Sequence, residues 1–166
     1  DRRQRQMCIR DRLAEVGTGR VVYEYNSEEK LPAAGLTRLA ALVSVCKGFD
    51  EGRLKPGDAV SVSEKAAGIG GTTAFLKAGE QMDAETMLLA AVMINAGDAT
   101  HSLALAAAGS ESAAVQEINA CMAGIGVETN FSEICGAGEK LSASELAKIG
   151  AALTLSLIHI SEPTRH

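Results

Sequence analysis

The chain has no tryptophan, and its aromatic residues come to only 3% of 166 positions. Any core must therefore rest on Leu, Val, Ile, Met and many Ala. No run reaches the roughly 20 apolar residues that a membrane helix needs. Positive charge is also scarce. Sixteen Lys and Arg stand against 21 Asp and Glu, a net charge of -5, which argues against a nucleic-acid binder with a basic face. The cysteines match no zinc spacing, and no His, Cys, Asp or Glu cluster points to a metal. No cofactor is expected: the glycines of 68–73 match no phosphate-cradling pattern, and no Lys-Ser or Lys-Thr pair follows them. What is present is a 46% hydrophobic chain of a length that suits one domain.

The two ends read differently from the middle. Residues 1–12 (DRRQRQMCIRDR) and 155–165 (LSLIHISEPTR) carry no helix or strand period. Both resemble transposase adapters of shotgun libraries translated in frame. The expected organisation is an adapter-like, non-native tail at 1–12, a partial domain at 13–154 and a second such tail at 155–166. Between the tails the charge is -8, from 10 basic and 18 acidic residues. His101 is the remaining histidine there, and Cys46, Cys121 and Cys135 the remaining cysteines. Cys46 and Cys121 fall in apolar helical stretches and read as buried thiols.

Local signals order the middle. Arg20 to Tyr25 (RVVYEY) predicts a strand, and the Gly17-Thr18-Gly19 turn before it makes Leu13 to Val16 the stub of a partner. Leu36 to Cys46 predicts a buried helix ending near Gly48. Ala59 to Val62 follows a Pro-Gly turn as a short strand. Asp83 to Ile94 predicts a helix with an acidic first turn. Asn95-Ala96-Gly97 breaks it, and Asp98 is expected to cap the next helix, to Ala108. Ser110 opens a third, with Val115, Ile118 and Met122 at helical spacing. Ser142 or Ser144 starts a fourth, with Glu145 at capping-box distance from Ser142.

The order of these segments carries a resemblance. Gly19 to Arg38 (GRVVYEYNSEEKLPAAGLTR) is similar to a family pattern near GKVLYEKNADEKLPPASLTK. Ser61 to Glu80 resembles VSEKA...GG...LKPGE. Met87 to Gly109 and Glu139 to Leu153 resemble a second-motif region and a YSTA-D-LA helix. The chain is thus similar to serine-type D-alanyl-D-alanine carboxypeptidases, low-molecular-mass penicillin-binding proteins of peptidase family S11. The resemblance implies an α/β fold of the β-lactamase/transpeptidase type. The stretch at hand would hold mainly its helical cluster plus an early antiparallel strand pair. It also implies peptidoglycan stem peptides, or a wall-associated protein, as partners, and an extracytoplasmic location.

Such enzymes transfer acyl groups with three motifs. A Ser-x-x-Lys supplies nucleophile and base, nearly one helical turn apart. A Ser-x-Asn turn shuttles protons and holds substrate. A Lys-Thr-Gly strand binds the substrate carboxylate. Here the nucleophile position is Gly35 and the base position is Arg38, which is effectively never deprotonated. The second motif reads Asn95-Ala96-Gly97, so its hydroxyl and its amide are both gone. No Lys-Thr-Gly occurs. The resemblance therefore implies a divergent, inactive relative of enzymes that trim terminal D-Ala through a serine acyl-enzyme. Three alternatives stand beside it: an active carboxypeptidase if the full gene restores the motifs, an inactive wall-peptide or protein-binding module, and a truncated fragment without a role. Thr37 and a Cys135-His101 couple are weaker candidates for chemistry. Nothing in the sequence brings Cys135 and His101 together, the family that the chain resembles carries a Thr at the position of Thr37 without using it as nucleophile, and His101 reads as a surface helix residue. The pairs Glu28-Glu29 and Asp50-Glu51 read as solvated turns.

Overall fold

Alanine-rich apolar stretches can pack as helices around one of their own, because small side chains let the axes approach. In the computed structural model, which describes residues 9–135 and 138–161 with side chains to 156, the central helix is α1 (Arg38–Asp50). Ala40, Ala41, Leu42, Val45 and Cys46 on it are wholly buried, as befits a helix covered on nearly every side. Its neighbours are α4 (Gly97–Ala108), α5 (Glu111–Gly124) and α6 (Ala143–Ser161). A 3-10 turn, Ala34–Thr37, leads into α1, and the helix runs on past Gly48 to Asp50. Helices α2 (Glu64–Ala67) and α3 (Ala84–Met93) complete the cluster. Met87, Leu103, Ile118 and Met122, with the single buried ring of Phe131, supply the bulk of the core among the described residues.

The caps follow the local signals with one exception. Ser110 accepts from Ala113 N at 3.3 Å, and Asp83 accepts from Thr86 N at 2.8 Å. Ser142 is the capping residue of α6: its Oγ accepts from Glu145 N at 3.1 Å, and Glu145 Oε2 accepts from Ser142 N at 3.0 Å, the reciprocal capping box. Asp98 does not cap α4. The helix begins one residue earlier, at Gly97, and Ala96 precedes it without a side-chain cap. The buried Asp98 carboxylate instead accepts from Ala74 N at 2.9 Å and Leu76 N at 3.0 Å. It thereby ties the 72–76 loop to the start of α4.

Three short antiparallel pairs flank the helices. β1 (Asp11–Ala14) pairs with β2 (Val21–Tyr25), with Arg12 opposite Glu24 and Leu13 opposite Tyr23. This is the expected early strand pair, with the first strand shifted towards the N-terminus. β3 (Leu31–Pro32) pairs with β6 (Lys140–Leu141), and β4 (Ala59–Ser61) with β5 (Gln81–Asp83). β1 lies against α6, whereas every residue of β2 is exposed. Both expected domain limits fall inside elements. β1 begins at Asp11, and Arg12 there contacts Glu28 at 3.3 Å and also Ser144 Oγ. α6 continues to Ser161, although Leu153 is the last buried residue among those with described side chains. Among the described residues no helix is long and apolar enough to cross a membrane.

Candidate active site

The start of α1, the turn before α4 and the 69–72 loop converge on one point, and the residue there is Arg38. Its side chain is 7% exposed. Nη1 donates to Thr72 O at 2.7 Å and to Asn95 O at 2.8 Å, and Nη2 donates to Gly70 O at 2.8 Å. One guanidinium thus joins three chain segments through backbone carbonyls. A lysine at this position has a single ammonium and could not span the same fork.

The other candidate positions are packed around this arginine. A Cβ on Gly97 would lie 2.7 Å from Arg38 Cζ and 2.8 Å from both Arg38 Nη2 and Ile69 Cγ2. No ordinary side chain fits there while Arg38 holds its place. A Cβ on Gly35 would meet Asn95 Nδ2 at 3.2 Å. That amide donates to Gly35 O at 2.9 Å, so Asn95 closes over Gly35. Gly35, Arg38, Asn95 and Gly97 therefore form one interlocked cluster, brought together from two separate stretches of sequence. Two non-glycine residues at its edge hold left-handed backbone, Ala34 at φ 43° and Asn95 at φ 53°. Asparagine tolerates that region, and alanine there is strained.

Beside the cluster lies a cavity of 440 Å³ lined by Gly35, Arg38, Lys65, His101, Glu111 and Cys135, among others. His101 is not on the surface. It is 3% exposed, because α4 is covered on nearly all sides, and burial lowers its pKa from the ordinary 6.5. Its Nε2 stands 3.6 Å from Glu111 Oε1, outside hydrogen-bond range; Glu111 is engaged by Lys65. Cys135 lines the same cavity as His101, but no hydrogen bond joins the two among the described residues. The thiol instead contacts the Gly97 carbonyl at 3.6 Å, and burial pushes its pKa up to about 11. A protonated thiol is not a nucleophile. Thr37 is no better placed: its hydroxyl lies 2.8 Å from Ala34 O and 2.7 Å from Cys135 O. Cys46 is a buried thiol, pushed up to about 12 by burial, and Cys121 is half-buried. Glu28, Glu29 and Glu51 are largely solvated, and each meets an arginine.

Sequence reasoning missed Lys65, Glu111 and Glu133 as lining residues. Lys65 lies in the SEKA stretch that carried the resemblance; Glu111 and Glu133 have no motif signal. Among the described residues no group of three His, Cys, Asp or Glu side chains is disposed to hold a metal.

Comparison with known proteins adds ancestry to this geometry. The family profile described as D-alanyl-D-alanine carboxypeptidase matches residues 11–165. The carboxypeptidase DacF of Bacillus subtilis is 33% identical over 129 residues, 77% of this chain and 33% of that protein. The crystal structure of the carboxypeptidase DacD from Francisella tularensis superposes with a TM-score of 0.76 at 26% identity, covering 84% of this chain and 35% of that one. Penicillin binding protein 5 from Haemophilus influenzae shares the fold, with a TM-score of 0.81 at 22% identity over 90% of this chain and 45% of that one. The chain spans about a third of the length of the curated relatives it matches.

Proposed function

Because the chain belongs to the D-alanyl-D-alanine carboxypeptidase family, we propose that it is a member whose catalytic centre has been replaced by a packed, non-reactive cluster. The carrying observation is the fit between Arg38 and Gly97. With Arg38 filling the space that a side chain at 97 would need, the two motif changes form a matched pair. Independent errors in a functional gene would have no reason to complement one another sterically. The Gly35-Asn95 contact repeats the pattern at the nucleophile position.

The chemical consequences follow residue by residue. Gly35 has no hydroxyl to attack a carbonyl. Arg38 offers a guanidinium, which is no general base, where the family uses a lysine amine. Thr37 and Cys135 are bound to carbonyls, and the thiol is protonated. Family members are cell-wall enzymes, and we assign this chain to the same extracytoplasmic setting. Its partner would be a peptidoglycan stem peptide or a wall-associated protein.

The test is release of D-alanine from a D-Ala-D-Ala peptide by the full chain and by a Gly35→Ser/Arg38→Lys double variant. Neither should release it. The double variant regains a hydroxyl and a tunable base, but it leaves Asn95-Ala96-Gly97 without its hydroxyl and amide. Catalytic groups that act as a unit fail together, so the first pair without the second should give no turnover. Turnover by the unaltered chain would refute the proposal. Turnover by the double variant alone would mean that the rest of the centre is intact.

A further inference from the structure

Two groups lining the cavity have hydrogen-bonding capacity that the protein leaves unused. Both ring nitrogens of His101 are buried without a hydrogen-bond partner. Arg38 makes two bonds from Nη1 and one from Nη2. A guanidinium carries five N–H groups, so one hydrogen on Nη2 and the one on Nε remain. All three of its acceptors are neutral carbonyls, and no carboxylate pairs with it among the described residues. The other cation of the cavity is in the opposite condition. Lys65 is bound by Glu111 and also feels the charge of Glu133. The outer cation is thus countered twice, and the inner one not at all.

A buried cation without a counter-charge is costly, and an anion that fits beside it gains from the low local dielectric. His101 follows Gly97 by one helical turn on α4, and Arg38 packs directly on Gly97, so imidazole and guanidinium face the same space. From this juxtaposition we propose that the cavity is a binding site for a small carboxylate anion, held by the two remaining Arg38 N–H groups and a ring N–H of His101. The 440 Å³ volume lies within the range of small-molecule sites. Paired, near-parallel N–H donors of a guanidinium suit the two oxygens of a carboxylate. The inference does not rest on the loss of catalysis, and either reading can fail without the other.

Binding and protonation are linked. The groups facing His101 are Arg38 from α1, Lys65 from α2, Glu111 from α5, and Glu133 and Cys135 from the loop beyond α5. Burial disfavours the imidazolium, and an anion arriving beside the ring would favour it. Carboxylate binding should therefore raise the His101 pKa and tighten as pH falls.

The experiment is an NMR titration of the full chain with sodium acetate, against sodium chloride at matched ionic strength and against acetamide, the neutral isostere. Acetate should give a saturable shift at the His101 ring and at the amides of Gly35, Arg38 and Gly71, with a dissociation constant of about 1–10 mM. It should raise the His101 pKa by about half a unit or more, and acetamide should bind at least about fivefold more weakly. His101→Phe, which keeps a ring and loses both nitrogens, should weaken acetate binding about threefold or more. If that variant does not fold, the contrast between acetate and acetamide still decides. No saturation up to about 100 mM, equal effects of acetate and acetamide, or shifts that map away from the cavity would overturn the proposal.

Discussion

At the scale of residues, the four motif positions can be read from the sequence one at a time, but their mutual fit cannot. Gly35 and Arg38 sit on one stretch and Asn95 and Gly97 on another, and only the fold sets Arg38 Cζ 2.7 Å from where a Gly97 Cβ would stand. That contact makes a quantitative prediction. Gly97→Ala should cost about 1–3 kcal/mol by overpacking and should cost clearly less when Arg38 is also changed to Lys. Urea denaturation of the two single variants and the double variant measures this. A coupling energy of about 0.5 kcal/mol or more is expected; strictly additive costs would mean that the two positions are independent. His101 shows why local reading misplaced one candidate. A polar residue in an Ala-rich helix looks solvent-facing until the packing of α4 between α1, α3 and α5 is known.

At the scale of elements, what was legible is what is encoded within three or four residues. The caps at Ser110 and Ser142 belong here, since donor and acceptor lie in one turn; Asp83, expected within the first turn of α3, is its capping residue instead. The β3–β6 and β4–β5 pairs were not legible. Each joins strands of two or three residues far apart in sequence, too short to show a period. Asp98 read as a cap because its position fits one, yet its carboxylate serves a distant loop. Glu145 combines a local and a non-local role. It completes the capping box, accepts from Thr129 N at 3.1 Å and pairs with Lys30 at 3.0 Å. Burial alone would raise its carboxyl, but the Ser142 amide, Lys30 and Thr129 outweigh burial and hold it below the ordinary value. Its stabilising contribution is therefore full above the unfolded value of about 4.3 and is lost as pH falls through the lower native value. Glu145→Ala should cost about 2 kcal/mol at neutral pH and should flatten the decline of stability below pH 5. A variant that unfolds in acid along the same curve as the parent would contradict this role.

At the scale of the whole molecule, the family and the helical cluster were legible because segment order survives where single residues change. We propose 13–154 as the folding unit. Trimming the chain to it removes the Arg12 contacts with Glu28 and Ser144 and should cost less than about 2 kcal/mol, the scale of one lost core contact. A larger loss in thermal or urea unfolding would show that the ends belong to the domain. The β2 strand, with Val22 60% and Tyr23 54% exposed, has no second strand partner among the described residues and so offers a sheet edge. Light scattering should find concentration-dependent association that Val22→Lys reduces; a strictly monomeric parent chain would contradict this. The proposed loss of the reaction centre is tested most directly by intact mass after prolonged exposure of the full chain to a penicillin, because acylation needs the nucleophile but no deacylation step. With glycine at 35 and, at 135, a half-buried thiol whose pKa is pushed up to about 11, the mass should remain that of the unmodified chain. A stoichiometric adduct mapping to the segment from Ala34 to Arg38 would contradict the loss of the nucleophile.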